Sequence, residues 1–479
     1  MNIKKHNAGS ILVWTVLVIA LLSMIGLETL RIVTIKYQNT VQTSTWQEGL
    51  VAAESGIDLA IVELRKSLYP APNNAWQGWN NTPGNNVTGY EMTTVSNAGF
   101  SGTPMTIETY VDAPAQLIDP TNSWQYYRIR TVGTMPITGP ARASDNPQDT
   151  KLRKLSLRWE RFTNGILTAH SISAPQVSRR VEAIVRPDSA FGEAIMGVGL
   201  VDLNNQNIVV DSYDSTDPNK STNGLYDVTK RQENGDVATD SQLIDAGNAH
   251  IYGDVATNAG TVTGVANITG SQYTDFYQDP IPIGAPSWPS INPTPSSVGG
   301  TATLTASATQ GSAASRYVLS SVSLSGNKTL TLAGDPSGSK TYIEIYVTGD
   351  ISVGGQSQIV VQPGVQATIY FAGNVDVTGN GILDNDNQPS DLMMYGIQPP
   401  SGVSEHVSLG GNAQITAAVY APGHDITVNG GGSNGQVYGS FVGNTVTMTG
   451  VTNLHYDETL GKTGLINNYK IVSWFEDTR

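Results

Sequence analysis

The chain has 479 residues and a net charge of −14, and at the usual ~100–200 residues per domain it holds roughly two or three domains. That acidity excludes a phosphate-neutralising nucleic-acid surface, which needs clustered Lys and Arg. The complete absence of cysteine excludes a disulfide framework, a thiolate metal site and a cysteine nucleophile. Gly is abundant at 50 residues and only 14% of residues are charged. With plentiful Asn, Thr and Ser, that balance points to turn-rich β structure.

The first element is apolar. After Lys4, Lys5 and His6, the run Ile11–Leu27 has only Thr15 and Ser23 as polar interruptions. At ~1.5 Å rise per residue it just reaches across a hydrocarbon core of ~30 Å. The lysines on its amino side predict a cytoplasmic amino terminus. A cleaved secretory signal would need a small-residue cut site and then a break in helical character. The stretch "SMIGLETLR" offers no Ala-x-Ala pattern, and helix-compatible sequence continues beyond it. Leu50, Ala53, Ile57, Ile61, Leu64 and Leu68 recur at steps of three and four, and Pro70 and Pro72 close the segment. The pattern predicts a basic leader over 1–9 and one helix over 10–70. Its anchor is 11–27 and its amphipathic part is 28–68.

Residues 71–190 change character. "NNAWQGWNNTPGNN" (Asn73–Asn86) is a turn-rich connector, and strand-like alternation follows over Pro104–Asp112, Trp124–Met135 and Ser178–Pro187. A small antiparallel sheet built from these would cover the amphipathic half of the helix, giving each apolar face a partner. Asn146–Phe162, the one basic cluster, reads as a solvated surface.

From 191 to 479 short alternating apolar runs recur between Gly and Asn turns. Tyr346, Tyr370, Tyr395, Tyr420 and Tyr438 end similar runs, at steps of about 24, 25, 25 and 18 along the chain, within the range of solenoid repeats. Such a period predicts stacked coils, a β-helix with inward Val and Ile columns and an aromatic ladder of those tyrosines. The Pro-rich stretch 279–297 reads as a loop, because its prolines cannot donate to a strand ladder. The last strand, around Trp474–Phe475, is expected to cap the final coil.

Chemistry is sparse. Asp384 and Asp386, with Asn385 and Asn387, could offer oxygen ligands to Ca²⁺, but Gly and Glu are missing from the sixth and twelfth positions of an EF-hand loop. An Asx-rich turn is the better reading. Asp211, Asp214 and Asp217 invite the same two readings. His424 beside Asp425 and Glu405 beside His406 point to opposite faces of their strands, and no histidine pair has metal-ligand spacing. No catalytic residue, cofactor or reaction is expected.

The short basic leader, a Gly followed by a small residue, the apolar helix and "GLVAAESGIDLAIVEL" (Gly49–Leu64) resemble the amino-terminal region of PilX-like minor pilins of type IV pili, relatives of type II secretion pseudopilins. The resemblance implies a prepilin peptidase cut between Gly9 and Ser10 and a helix that packs with other pilins. The glutamate usual at the fifth mature position is absent. Trp14 stands there, which resembles a tip-located pseudopilin. The pair "YYRIRTVGT…SRRVEAIVRP" is similar to the sheet of pilin-like heads. "FGEAIMGVGLVDLNNQNIVVDSYDS" (Phe191–Ser215), "IYGDV" and "YKIVSWFED" resemble an uncharacterised β-solenoid domain found behind PilX-like amino termini, with repeats similar to those of bactofilins.

The expected fold is therefore mainly β with a long N-terminal α-helix: a pilin-like α+β head followed by a β-helix. The expected role is a minor pilin or pseudopilin of the bacterial inner membrane. It would be single-pass with a cytoplasmic amino terminus, displaying the solenoid outside the cytoplasmic membrane, at the pilus or cell surface, for adhesion to a surface or glycan. A membrane-tethered polysaccharide lyase or hydrolase, and an envelope scaffold polymerising through its solenoid, are the alternatives.

Overall fold

The computed structural model describes residues 8–69, 73–80, 87–95, 105–119, 124–136, 176–204, 208–264, 267–288, 296–306, 315–334, 340–378, 380–384, 386–411, 415–430 and 435–477. The chain is mostly β, with one long amino-terminal helix. The basic cluster 146–162 lies outside the described residues.

Helix α1 (Ala8–Lys66) is unbroken over 59 residues, about 88 Å at 1.5 Å per residue. It contains no proline, and Arg65 and Lys66 in its last turn complement the negative end of the helix dipole. Thr29, Thr34 and Thr40 donate their hydroxyls to carbonyls four residues earlier, at 2.8–2.9 Å, so these polar groups are satisfied within the helix. Large apolar side chains from Val13 to Tyr37 are exposed, and the segment is long and apolar enough to cross a membrane. Burial begins near Thr45. Ala52, Ala53, Ile57, Ala60 and Leu64 are fully buried, while Leu50, Ile61 and Leu68 pack at the margin of the same cluster.

That face rests on a five-stranded antiparallel sheet. Its order is β1 (Val87–Val95), β2 (Met105–Asp112), β3 (Tyr127–Pro136), β4 (Gln176–Ser189) and then the terminal strand Ile466–Asp477. Ile107, Val111, Ile129, Val181 and Val185 turn inward, in the alternation read from the sequence. Gly56 lies against Thr131, Thr109 and Ile107, where a Cβ could not fit, so the helix approaches the sheet closely. The terminal strand corrects one expectation. It does not cap a coil: Trp474 pairs with Ala183 and Phe475 with Glu182 in antiparallel register, so the last unit ends before residue 466.

The remaining strands pair in parallel, each upon the next. Val365–Phe371 lies on Thr341–Val347, with Tyr342 opposite Gln366 and Val347 opposite Phe371. Ile345, Val347, Ile369, Phe371, Val375 and Val377 form continuous interior columns. Corners fall at glycines in positive φ, with Gly326 (φ 77°) and Gly355 (φ 71°) at successive rungs.

The winding order departs from simple succession. The chain enters in the middle of the stack. Ile195 pairs with Val237 on one side and with Phe441 on the other. It winds outward through Val255 to Tyr273, crosses over, and restarts at the opposite end with Ser296–Val298. From there it winds back through Arg316–Leu324, Thr341–Val347 and Val365–Phe371, and onward to Gln436–Gly450 against the entry rung. Entry and exit are therefore neighbours, and β4 and the terminal strand can pair.

Candidate functional site

Four of the five expected ladder tyrosines are in register: Tyr346↔Tyr370, Tyr370↔Tyr395 and Tyr395↔Tyr420. Tyr438 is not. It falls opposite Thr416, while Tyr420 pairs with Val442. The rung that leaves Tyr420 closes only at Val442, so Tyr438 arrives before the turn of the coil is complete. Tyr370 and Tyr395 lie 5.5 Å apart at 34°, and Tyr395 and Tyr420 lie 6.4 Å apart at 67°. In the strand Thr341–Val347 the interior positions alternate with half-buried ones, and Tyr346 is among the latter, on the outer face.

What covers that outer face is the Pro-rich segment. Ile283 bridges Ile397 in parallel, Gln398 N–H donates to the Ile283 carbonyl at 2.9 Å, and Trp288 meets Tyr370 edge-on at 6.1 Å. The Tyr420 hydroxyl donates to the Ile281 carbonyl at 3.0 Å and to Asn467 Oδ1 at 3.2 Å. Phe191 packs 6.2 Å from both Tyr395 and Tyr420. Burial pushes the Tyr395 and Tyr420 phenols well above their usual range, so both stay protonated donors. The described part of the expected loop, up to Trp288, is thus a strap across the stack, continuing from the crossing at Asp279.

Asp279 also holds the helix. Tyr69 donates to Asp279 Oδ2 at 2.7 Å, and Arg65 forms an ion pair with the same oxygen at 3.3 Å. Asn467, fully buried on the terminal strand, accepts from Ile281 N–H at 3.0 Å. Glu63 accepts from Trp76 N–H and from Lys66 Nζ, both at 2.6 Å, folding the connector back on the helix end. Helix, sheet, strap and stack therefore meet at one junction. Sequence reasoning missed Asp279, Asn467 and Phe191, since nothing local marks a residue whose partner lies so far along the chain. It also missed Arg179, which is buried under Trp46 at 3.6 Å and paired with Glu476.

The expected metal candidates do not converge. Asp386 accepts from Gly364 N–H at 2.8 Å, capping a turn. Asp384 ends the strand Ile382–Asp384 opposite Val361, and its side chain lies outside the described residues. Asp214 caps Thr216 and Asp217 caps Asn219, as Asx turns do. Asp211 is buried elsewhere, accepting from Tyr226 at 2.8 Å with His455 Nδ1 at 2.6 Å, while His455 Nε2 meets Gln436 Oε1 at 2.6 Å. Tyr226 stacks on that imidazole at 3.7 Å. Among the described residues no group of three or more His, Asp or Glu side chains could hold a metal ion. Gly9 and Ser10 lie in the first turn of α1.

Two titratable environments stand out. His424 is fully buried, 3.1 Å from Glu405 Oε2 but without hydrogen-bond geometry. Burial holds its imidazole down at about 4, so it is neutral near pH 7. On the outward-wound arm Glu193, Asp236, Asp254 and Asp275 line a hollow beside Tyr273 and Tyr277. Burial, reinforced by Asp236, pushes the Glu193 carboxyl up to about 7. Asp236 and Asp254 accept backbone N–H groups from Asp254 and Ser271 at 2.6 and 2.7 Å, so they serve as corner caps.

A family model described as a domain of unknown function (DUF7305) matches residues 296–463. The match covers the arm that winds inward from Ser296 and stops short of the terminal strand. No curated protein and no solved structure matches the chain significantly.

Proposed function

We propose that the chain is a pilin-like filament subunit, a minor pilin or pseudopilin, that anchors a β-solenoid in the bacterial inner membrane and displays it outside the cytoplasm. One observation carries the reading. A single unbroken helix joins an exposed apolar half to a half seated on an antiparallel sheet. The exposed half suits lipid, and it equally suits neighbouring helices, so the same surface serves before and after filament entry. The sheet fixes the helix without covering that half. The parallel pairing of strands about 24–25 residues apart supports reading this region as a solenoid, whose long flanks would suit a surface or glycan. Display is therefore the chemistry proposed, with a prepilin peptidase, other pilins and the inner membrane as partners. Mass spectrometry of the amino terminus from native membranes tests it: a start at Ser10 is expected. An intact Met1, or a start near Leu27, overturns the reading.

A further inference from the structure

Two segments far apart in sequence meet at one strand pair. β4 ends at Ser189, the stack takes residues 195–457, and only then does Ile466–Asp477 return to pair with β4. The helix packs mainly on β2, β3 and β4, and that return completes the edge of its seat. Tyr469 and Ile466 share the core cluster with Leu50, Ile57 and Ile61, Glu476 pairs with buried Arg179, and Lys470 reaches Asp188 at 2.9 Å.

Winding is what brings the strand back. Val209–Tyr213 pairs with Asn453–Asp457, and Ile195 with Phe441, so a finished stack sets entry and exit on adjoining rungs. The connectors are joined as well. Ala190 N–H donates to the Leu465 carbonyl at 2.8 Å, Ser189 Oγ to the Thr463 carbonyl at 2.7 Å, and the Tyr456 hydroxyl to the Phe191 carbonyl at 2.7 Å. Asn467 takes its two hydrogen bonds from the strap at Ile281 and from Tyr420, so its buried seat exists only once strap and rung are in place.

We propose that the terminal strand is a completion latch: the helix–sheet unit closes only after the stack has wound. Before winding, pairing β4 with the terminal strand means closing a loop of about 275 residues, an entropic cost that nothing local offsets. Afterwards only the short connectors 190–194 and 458–465 remain to be ordered. The consequence, which rests on the filament reading, is that a chain with an unfinished stack presents an open helix seat and is held back from assembly.

Hydrogen exchange read by mass spectrometry on the full chain in detergent tests the latch. Phe441→Ala empties a buried position at the joint between the two arms. It is expected to speed exchange about tenfold or more in β4 and in residues 50–64 of α1, although Phe441 lies on neither element. Asn467→Leu removes the acceptor while keeping the branched outline of the side chain. It is expected to loosen β4, the terminal strand and residues 50–64 while Thr341–Phe371 keep their protection. Unchanged exchange in β4 and residues 50–64 in Asn467→Leu overturns the proposal, and that variant decides alone if Phe441→Ala does not fold. An amino terminus other than Ser10 would remove the filament reading and leave the latch standing.

Discussion

At Gly133 the helix backbone rests directly on the sheet, and substituting it gives a sharp test of that seat. A Cβ added there would strike the Gly49 carbonyl oxygen and lie 2.7 Å from Ala53 N and 2.8 Å from Ala52 Cβ. Non-bonded heavy atoms settle at about 3.5–4.0 Å, so the helix must lift by roughly 1 Å. The obstructing atoms belong to the helix backbone and to a Cβ, which cannot swing aside as a long side chain would. Lifting opens a gap over Ala53, Ile57 and Ala60, all fully buried, and a gap of that size forfeits about a quarter to a half of each contact. Overpacking of this kind costs about 1–3 kcal/mol, partly offset in Gly133→Ala by ~0.5–1 kcal/mol of lost unfolded-chain freedom. A net loss of about 1 kcal/mol is expected for Gly133→Ala, and up to about 3 kcal/mol for the larger Gly133→Val. Gly26→Ala is the control, since nothing lies within 4 Å of its added Cβ. Urea denaturation of the full chain in detergent, followed by exchange at residues 50–64, reads the difference. If Gly133→Val matched the parent chain, the helix would not be seated on β3 at this glycine.

Removing Tyr395 from the ladder by Tyr395→Ala is expected to cost about 3–5 kcal/mol and to expose the strap 279–288 to protease, whereas Tyr438→Ala, off the ladder, should leave the strap protected. Equal cleavage in both would sink the assignment of the ladder as the strap's track. The neutral His424 predicts acid sensitivity. Its folded pKa, about 4, lies below the unfolded value near ~6.5, so across that interval only the unfolded chain gains the proton and stability falls as pH drops. Glu405, pushed up by burial, acts in the opposite sense. His424→Gln should flatten the acid limb of a urea-midpoint profile, and an unaltered slope would count against it. His455→Ala removes the stacking partner of Tyr226 and one donor to Asp211, so proteolysis within 214–234 should accelerate with the rest of the stack intact.

The helix was legible because its signals are local: an apolar run, a period of three to four, and no proline until Pro70. The same reading put the start of the amphipathic part at residue 28, yet burial begins near Thr45, because periodicity shows that a face exists and not how far its partner extends. Three of the five strands of the small sheet, β2, β3 and β4, were legible for the same reason, each alternating within a few residues of its observed bounds, whereas β1 (Val87–Val95) was not read as a strand. The tyrosine spacing located three successive steps and failed at the fourth, where Tyr420 pairs with Val442 and not with Tyr438. The winding order was not legible at all. Repeats show that coils stack on their sequence neighbours. They carry no local signal that Ile195 also stacks on Phe441, a contact made only once both arms exist. Trp474–Phe475 was misassigned for the same reason, since apolar alternation identifies a strand but not its sheet.

The mid-stack entry explains several features that look unrelated in sequence. Had the chain entered at one end, it would leave at the other, and the terminal strand could not reach β4. Entering in the middle brings the exit home, but it demands a crossing between the two far ends, from Tyr273 to Ser296. A crossing outside the stack can make few ladder bonds, so residues lacking an N–H fit it, and Pro280 and Pro282 alternate there with Ile281 and Ile283, which make the bonds observed. It also needs an apolar track, and the outward-facing tyrosines supply one at about 4.8 Å per rung. The anchoring residue Asp279 then sits where the crossing passes the helix end, and Arg65 and Tyr69 take hold of it. On this account the tyrosine ladder is the consequence of a connectivity that the helix requires, and relocating the entry to a stack end by circular permutation should leave the ladder tyrosines exposed and the strap unbound.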